Sequence, residues 1–333
     1  MSKNQFLMLA AFVMCSILFS NTVGAKVWRV NNNAGVHADF TELSTALSSA
    51  SVQIDDTLYI EGSATNYAFA NMSKRLVIIG TGYLLSGTGS NTGLQYNPYP
   101  AHISNLDLDS SASGSTFIGV SGYLRFDSRT DDLKFIRSSV YLDPLSNFPN
   151  STAKNWLINK CIIGTGYLSF HLENLQVTNC LSIYSGVYLP NVTNGLFRNN
   201  VFAVGLTTVN SYVSNNIFLN QLSLTNCTVK YNISTGNNLP AGNNNMINVH
   251  YNDIFVESGT TDGRYQLKSG SVAIGAGEPI NGVTPDIGAF GTADPYRLSG
   301  IPPIPTIYTL SVPASVPATA TSITITFSTR SNN

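Results

Sequence analysis

The sequence predicts an all-β solenoid, a parallel β-helix whose coils lie over one another. Three observations point there. Between Trp156 and Ile233 five segments share a polar–polar–apolar signature: Asn159-Lys160-Cys161-Ile162-Ile163, Thr178-Asn179-Cys180-Leu181, Arg198-Asn199-Asn200-Val201-Phe202, Ser214-Asn215-Asn216-Ile217-Phe218 and Lys230-Tyr231-Asn232-Ile233. Their third residues, Cys161, Cys180, Asn200, Asn216 and Asn232, advance in steps of 19, 20, 16 and 16. A period near twenty marks units that bury their apolar side only by stacking on neighbours. Secondly, the segments are short β-branched or aromatic runs broken by Asn and Gly, with no helical periodicity between them. Thirdly, Ile78-Ile79-Gly80-Thr81-Gly82-Tyr83-Leu84 recurs letter for letter as Ile162 to Leu168, 84 residues on, with Gly122-Tyr123-Leu124 between. These spacings are multiples of a coil and place Tyr83, Tyr123, Tyr167 and a looser copy, Tyr188, in one column.

Taken in order, residues 1–25 read as an export leader. Lys3 gives the positive start, Phe6 to Phe19 the apolar stretch and Val23-Gly24-Ala25 the small-residue cleavage site. The residues around Cys15 make a poor lipoprotein box, and no later run approaches the ~20 apolar residues that span a bilayer. The mature chain is therefore expected to be secreted or held at the cell surface. Residues 26–298 form the β-helix, with Lys26 to Asn31 as its first strand. Asp39-Phe40-Thr41-Glu42 has the form of a capping box, and Phe40, Leu43, Leu47 and Ala50 follow at helical spacing. This short helix should cover the open end of the first coil and shield its strand edges. Leu58-Tyr59-Ile60 and Leu76 to Ile79 are the first rungs of roughly ten coils. Residues 86–104, Phe148 to Ser151 and Gly236 to Asn245 break the period; such excursions from a solenoid often form its binding face. Residues 299–333 hold the linker Ile301-Pro302-Pro303-Ile304-Pro305 and a strand pair between Leu310 and Phe327. That pair is too small to stand alone and must pack on the helix or on a partner.

Only 11% of residues are charged and 43% are hydrophobic, which excludes a disordered chain. The net charge of −1, or −2 without the leader and its Lys3, predicts no electrostatic affinity for nucleic acid or anionic lipid. Asn, Ser, Thr and Gly supply the polarity instead, and stacked coils let amides hydrogen-bond along a column. Of the mature cysteines, Cys161 and Cys180 hold equivalent places on adjacent coils. At a rung spacing of ~4.8 Å they form either stacked buried thiols or a disulfide. With Cys227 the number is odd, so at least one thiol stays free. His171 and His250 lack spaced partners, and no cysteine or histidine pattern marks a metal site.

The run Phe40-Thr41-Glu42-Leu43, Asp55 to Gly62, Tyr67 and Leu76 to Tyr83 resembles the N-terminal cap of secreted bacterial right-handed parallel β-helix proteins of the pectate-lyase-like superfamily. Tyr265-Gln266-Leu267, Ala273 to Gly277 and Pro285 to Phe290 resemble the segment that closes such helices. The resemblance spans residues 27–300 and implies a right-handed helix. The superfamily hosts lyases, hydrolases, epimerases and proteins without chemistry, so fold alone does not assign an activity.

Acid–base hydrolysis of a polysaccharide needs convergent carboxylates. Between Lys154 and Asn252 the one acidic residue is Glu173, so the most regular coils hold no such site. Acidic residues cluster earlier: Asp107, Asp109, Asp127, Asp131 and Asp132, with Arg129, Lys134 and Arg137. If the chain is a lyase acting on uronates, as the resemblance allows, Asp107, Asp109 and Asp127 are the candidate Ca²⁺ ligands. Arg125, Arg129 and Arg137 are then the candidate catalytic groups for β-elimination. The same residues also read as solvated turns and ion pairs between rungs. The tyrosines Tyr83, Tyr123 and Tyr167 suit stacking on sugars, or equally an aromatic stack that serves the fold. The scarcity of carboxylates favours a non-catalytic, exported, carbohydrate-binding protein, with no cofactor and a polysaccharide or surface glycan as partner. The alternative is a polysaccharide lyase.

Overall fold

A computed structural model of the chain describes residues 24–127, 129–145, 152–165, 171–184 and 189–332. Short parallel strands stack into three sheets. The first has ten strands, from Val27–Val30 and Thr57–Ile60 through Leu157–Asn159 to Thr228–Lys230. The second has nine, including His102–Leu108, Ser121–Phe126, Ser139–Pro144 and Ile162–Thr165, and ends at Ile233–Ser234. The third has five, from Thr152–Lys154 to Leu222–Thr225. This is the right-handed parallel β-helix that the sequence predicts. It makes about eight turns, fewer than the coils expected, because the terminal rungs are incomplete: Val27–Val30 has no counterpart in the second sheet.

One inward residue per strand builds the core. Leu58, Ile78, Phe117, Phe135, Ile158, Val177, Phe197, Val213 and Val229 follow one another in register, none more than 5% exposed. The strands stay short because the chain must turn at every corner. Asn155, Asn174, Asn194, Asn210 and Asn226 turn it into the first sheet with φ between 52° and 60°, a left-handed conformation that asparagine tolerates better than most residues. Immediately after the next corner lies the repeat's third position. There the N–H of Val120, Ser138, Cys161, Cys180, Asn200, Asn216 and Asn232 each donates to the side chain one rung further on, ending at Asn245, at 2.9–3.4 Å. Cys161 and Cys180 are therefore neighbours in a buried ladder, and both are free thiols. Cys227, half-buried, is free as well.

The repeated heptapeptide has a different explanation from the one its period suggests. Ile78 pairs with Leu58 and Phe117 in the first sheet, whereas Ile162 pairs with Ser139 in the second. Both copies need a glycine after the isoleucines, for unrelated reasons. A Cβ on Gly80 would lie 2.5 Å from the carbonyl oxygen of Gly119, and one on Gly164 would lie 2.7 Å from the Tyr141 ring. Tyr83 and Tyr123 consequently do not share a column. Tyr167 and Tyr188 lie outside the described residues.

The helix is Leu43–Ser48, and it buries Leu43, Ala46 and Leu47 over the first coil. The expected capping box does not form. Glu42 is the N-cap and makes no side-chain cap, while Asp39 accepts instead from the Arg29 backbone N–H at 2.8 Å.

The C-terminal segment does not close the helix end; it runs back along the outside as a strap. Ile254, Phe255, Tyr265, Ala273, Ile287, Ala289 and Tyr296 cover the outward-facing Ile162, Leu181, Val201, Ile217 and Ile233 of the second sheet. Corner residues grip the strap successively. Asn215 Oδ1 accepts from the Glu278 N–H at 2.7 Å, Asn199 donates to the Asp286 carbonyl at 3.2 Å, and Asn179 donates to Thr292 Oγ1 at 3.0 Å. Lys160 pairs with Asp294 and holds its carboxyl below the usual range. At the far end Asp262, fully buried, accepts from Asn91 at 2.8 Å, Tyr296 at 3.0 Å and the Ser299 N–H at 2.8 Å. The tail forms an antiparallel pair, Thr306–Ser311 with Thr326–Arg330, and docks through Tyr96 N–H to the Ile307 carbonyl at 2.8 Å. Among the described residues no helix is long and apolar enough to cross a membrane.

Candidate functional site: a tyrosine-lined groove

The second sheet is wider where its strands are longer, from His102 to Pro144, and there its outer face is left open beside the strap. On consecutive rungs Ser121-Gly122-Tyr123 lies in register with Ser139-Val140-Tyr141. The two phenol rings stack at 5.0 Å with planes 19° apart. On the next rung Gly164 pairs with Tyr141, and without a side chain there Tyr184 folds back to place its hydroxyl 3.2 Å from Ser139 Oγ. His102, one rung before Ser121, hydrogen-bonds its Oγ at 2.9 Å. With Tyr83, Leu84, Leu85, Ser86 and Pro100 these residues enclose a groove of about 670 Å³.

Electrostatically the groove is neutral. Among the described residues its one titratable side chain besides tyrosine is His102, whose pKa is lowered by burial. Tyr123 donates to Asp143, and burial first, then that carboxylate, pushes its phenol well above the ordinary range. Tyr83 is buried, and its hydroxyl turns away to meet Tyr296 at 2.7 Å. It contributes ring surface to the groove and a hydrogen bond to the strap.

Of the candidate lyase residues, Asp107, Asp109, Arg125 and Asp127 lie on neighbouring rungs, each engaged locally, and Arg137 stands apart. Arg125 stands beside the groove, two residues past Tyr123, and grips Asp107 through both oxygens at 2.7 and 2.8 Å. Asp109 lies beyond the strand end and caps Ser111 N–H at 2.7 Å. Asp127 accepts from the Arg129 N–H at 3.1 Å, and the Arg129 side chain is 69% exposed. Asp131 and Asp132 serve the following coil, bonding Lys154 N–H and Asn155. Arg137 sits on a different corner, buried under the strap, donating to the Ile301 and Asn332 carbonyls at 3.0 and 2.7 Å. Among the described residues no three His, Cys, Asp or Glu side chains are placed to share a metal ion. Ca²⁺ takes six to eight oxygens; both oxygens of Asp107 are held by Arg125.

Tyr123 and Tyr83 both reach the groove, although by different routes from the expected column. Tyr141, Tyr184, His102 and Ser139 were not singled out by the sequence reading. The signal for Tyr141 was available: Ser121-x-Tyr-Leu recurs as Ser139-x-Tyr-Leu one coil later. The requirement for Gly before Tyr-Leu concealed it. Tyr184 carries no comparable signal, since its place depends on the missing side chain at Gly164. Comparison of the chain with known protein families, with curated proteins and with solved structures returns no match.

Proposed function

We propose that this chain is an exported, non-catalytic β-helix, related in fold to the pectate-lyase-like proteins, that holds a neutral polysaccharide against its second sheet. The observation that carries the reading is the composition of the groove. Aromatic rings and prolyl and leucyl carbons line it, hydroxyls from Ser86, Ser121, Ser139 and Tyr184 edge it, and among the described residues no charged side chain lines it. A sugar ring has the matching form, apolar C–H faces bordered by hydroxyls, and sites of this kind are typically apolar with a few placed polar groups. A uronate carboxylate would find no cation there. Arg125, two residues past Tyr123, is already paired with Asp107, with Asp143 beside it in register.

The test is a panel of neutral and uronate-containing polysaccharides, with and without Ca²⁺, read for binding and for the ultraviolet absorbance of unsaturated products. Neutral chains are expected to bind without turnover, and Tyr141→Ala to weaken them about tenfold or more. Unsaturated products that vanish in Arg125→Ala would instead establish the lyase. Export is tested by sequencing the secreted protein's N-terminus, expected at Lys26.

A further inference from the structure

We infer that the binding surface continues along the helix axis into a second, amide-lined subsite for the same polysaccharide chain, centred on Leu219, Thr235 and Asn248. The inference rests on the reading of the tyrosine groove as a glycan site. Its basis is register. The column holding Tyr123 and Tyr141 continues through Gly164, and the ladder of the second sheet carries it on through Ile183 and Ala203 to Leu219 and Thr235. At that end two depressions of about 470 Å³ each meet at Leu219 and Thr235, which line both, and together they make up the trough.

Among the described residues the trough is polar and lined by no Lys, Arg, Asp or Glu. Asn248, His250 and Tyr251 border one side, and Asn220, Gln221 and Asn237 the other. The contrast with the interior amides is informative. Asn200, Asn216 and Asn232 are buried and fully engaged in the ladder, whereas Gln221, Asn237 and Asn248 are exposed, with side chains that hydrogen-bond to nothing among the described residues. Asn248 is nevertheless held in place: its φ is 55° and its N–H donates to the Gly236 carbonyl at 2.9 Å. An amide presents both donors and an acceptor, which suits the vicinal hydroxyls of a sugar. The Tyr251 ring, packed on Phe255 at 4.9 Å, adds an apolar wall.

Four rungs separate Tyr141 from Leu219, about 19 Å at the rung spacing of parallel sheets. A chain lying along the axis reaches both regions, and a chain crossing the solenoid reaches only one. The structure thus assigns an axial ligand several sugars long, stacked at one end and hydrogen-bonded at the other.

Calorimetric titration of the full chain with cello-, xylo- and manno-oligosaccharides of increasing length tests this. Short oligomers should bind through the tyrosines, and affinity should rise again once the oligomer is long enough to reach Thr235. The double variant Asn237→Ala/Asn248→Ala, confined to exposed residues, should weaken long oligomers about five- to tenfold and leave short ones unchanged. Tyr141→Ala should weaken both. Long oligomers that bind no more tightly than short ones, or a double variant without effect on them, would overturn the second subsite while leaving the groove intact. Failure of every neutral oligomer to bind would remove the groove reading and this inference together.

Discussion

Single residues here do one of two jobs that asparagine performs for different reasons. At the corners it accepts a left-handed backbone; inside the ladder its amide satisfies polar groups that water cannot reach. Asn216 exemplifies the second, since it donates to the Phe197 and Ser214 carbonyls at 2.9 Å and accepts from the Asn200 N–H at 3.0 Å. Asn216→Ala should therefore cost on the order of 3 kcal/mol in urea unfolding, because several buried partners are orphaned at once, whereas exposed Asn220→Ala should change stability by less than about 0.5 kcal/mol. His102 adds a pH dependence. Burial lowers its folded pKa below the usual 6.5, so below about that pH the unfolded chain binds a proton that the folded chain resists. Stability should fall as pH drops through and below 6.5, down to the folded pKa, and His102→Gln should flatten that part of the curve.

Among the elements, the strap shapes the site without entering the ladder. It covers the first outward column of the second sheet from Ile162 to Ile233 and packs partly on Ile183 and Leu219 of the neighbouring column, leaving Tyr123 and Tyr141 on an open border. Its far end is pinned by Asp262, buried with its donors Asn91, Tyr296 and Ser299. Asp262→Ala strands those donors and should raise hydrogen exchange across Ile254 to Gly300 while the first-sheet rungs stay protected. Equal loss of protection in both would mean that strap and solenoid unfold as one unit. Gly164 plays the complementary part inside the sheet. Gly164→Val should force Tyr141 and Tyr184 apart and weaken glycan binding about as much as Tyr141→Ala, with secondary structure by circular dichroism retained.

For the whole molecule, stability should be distributed by nearest neighbours, as in other solenoids. Phe135 lies between rungs, stacked on Phe117 at 5.2 Å with Trp156 edge-on at 5.9 Å, and Phe135→Ala should cost about 3–5 kcal/mol. Val229 is on the last strand of the first sheet, with a neighbour on one side, and Val229→Ala should cost roughly 1 kcal/mol or less. Periodicity in the chain determined the solenoid, the Asn/Cys ladder and its step lengths, because stacked rungs impose the same local demand at every turn and so write the same residues repeatedly. The short N-terminal helix and the C-terminal strand pair were legible for a similar reason, each resting on its own local pattern. Tertiary structure alone decided that Ile78 and Ile162 belong to different sheets, that residues 254–301 return along the outside, and that Tyr184 joins Tyr123 and Tyr141. Those outcomes depend on contacts between segments with no shared period, which a repeat cannot encode: the 86–104 loop shifts the count between the heptapeptides, and the strap's position is set by side chains on corners tens to hundreds of residues away.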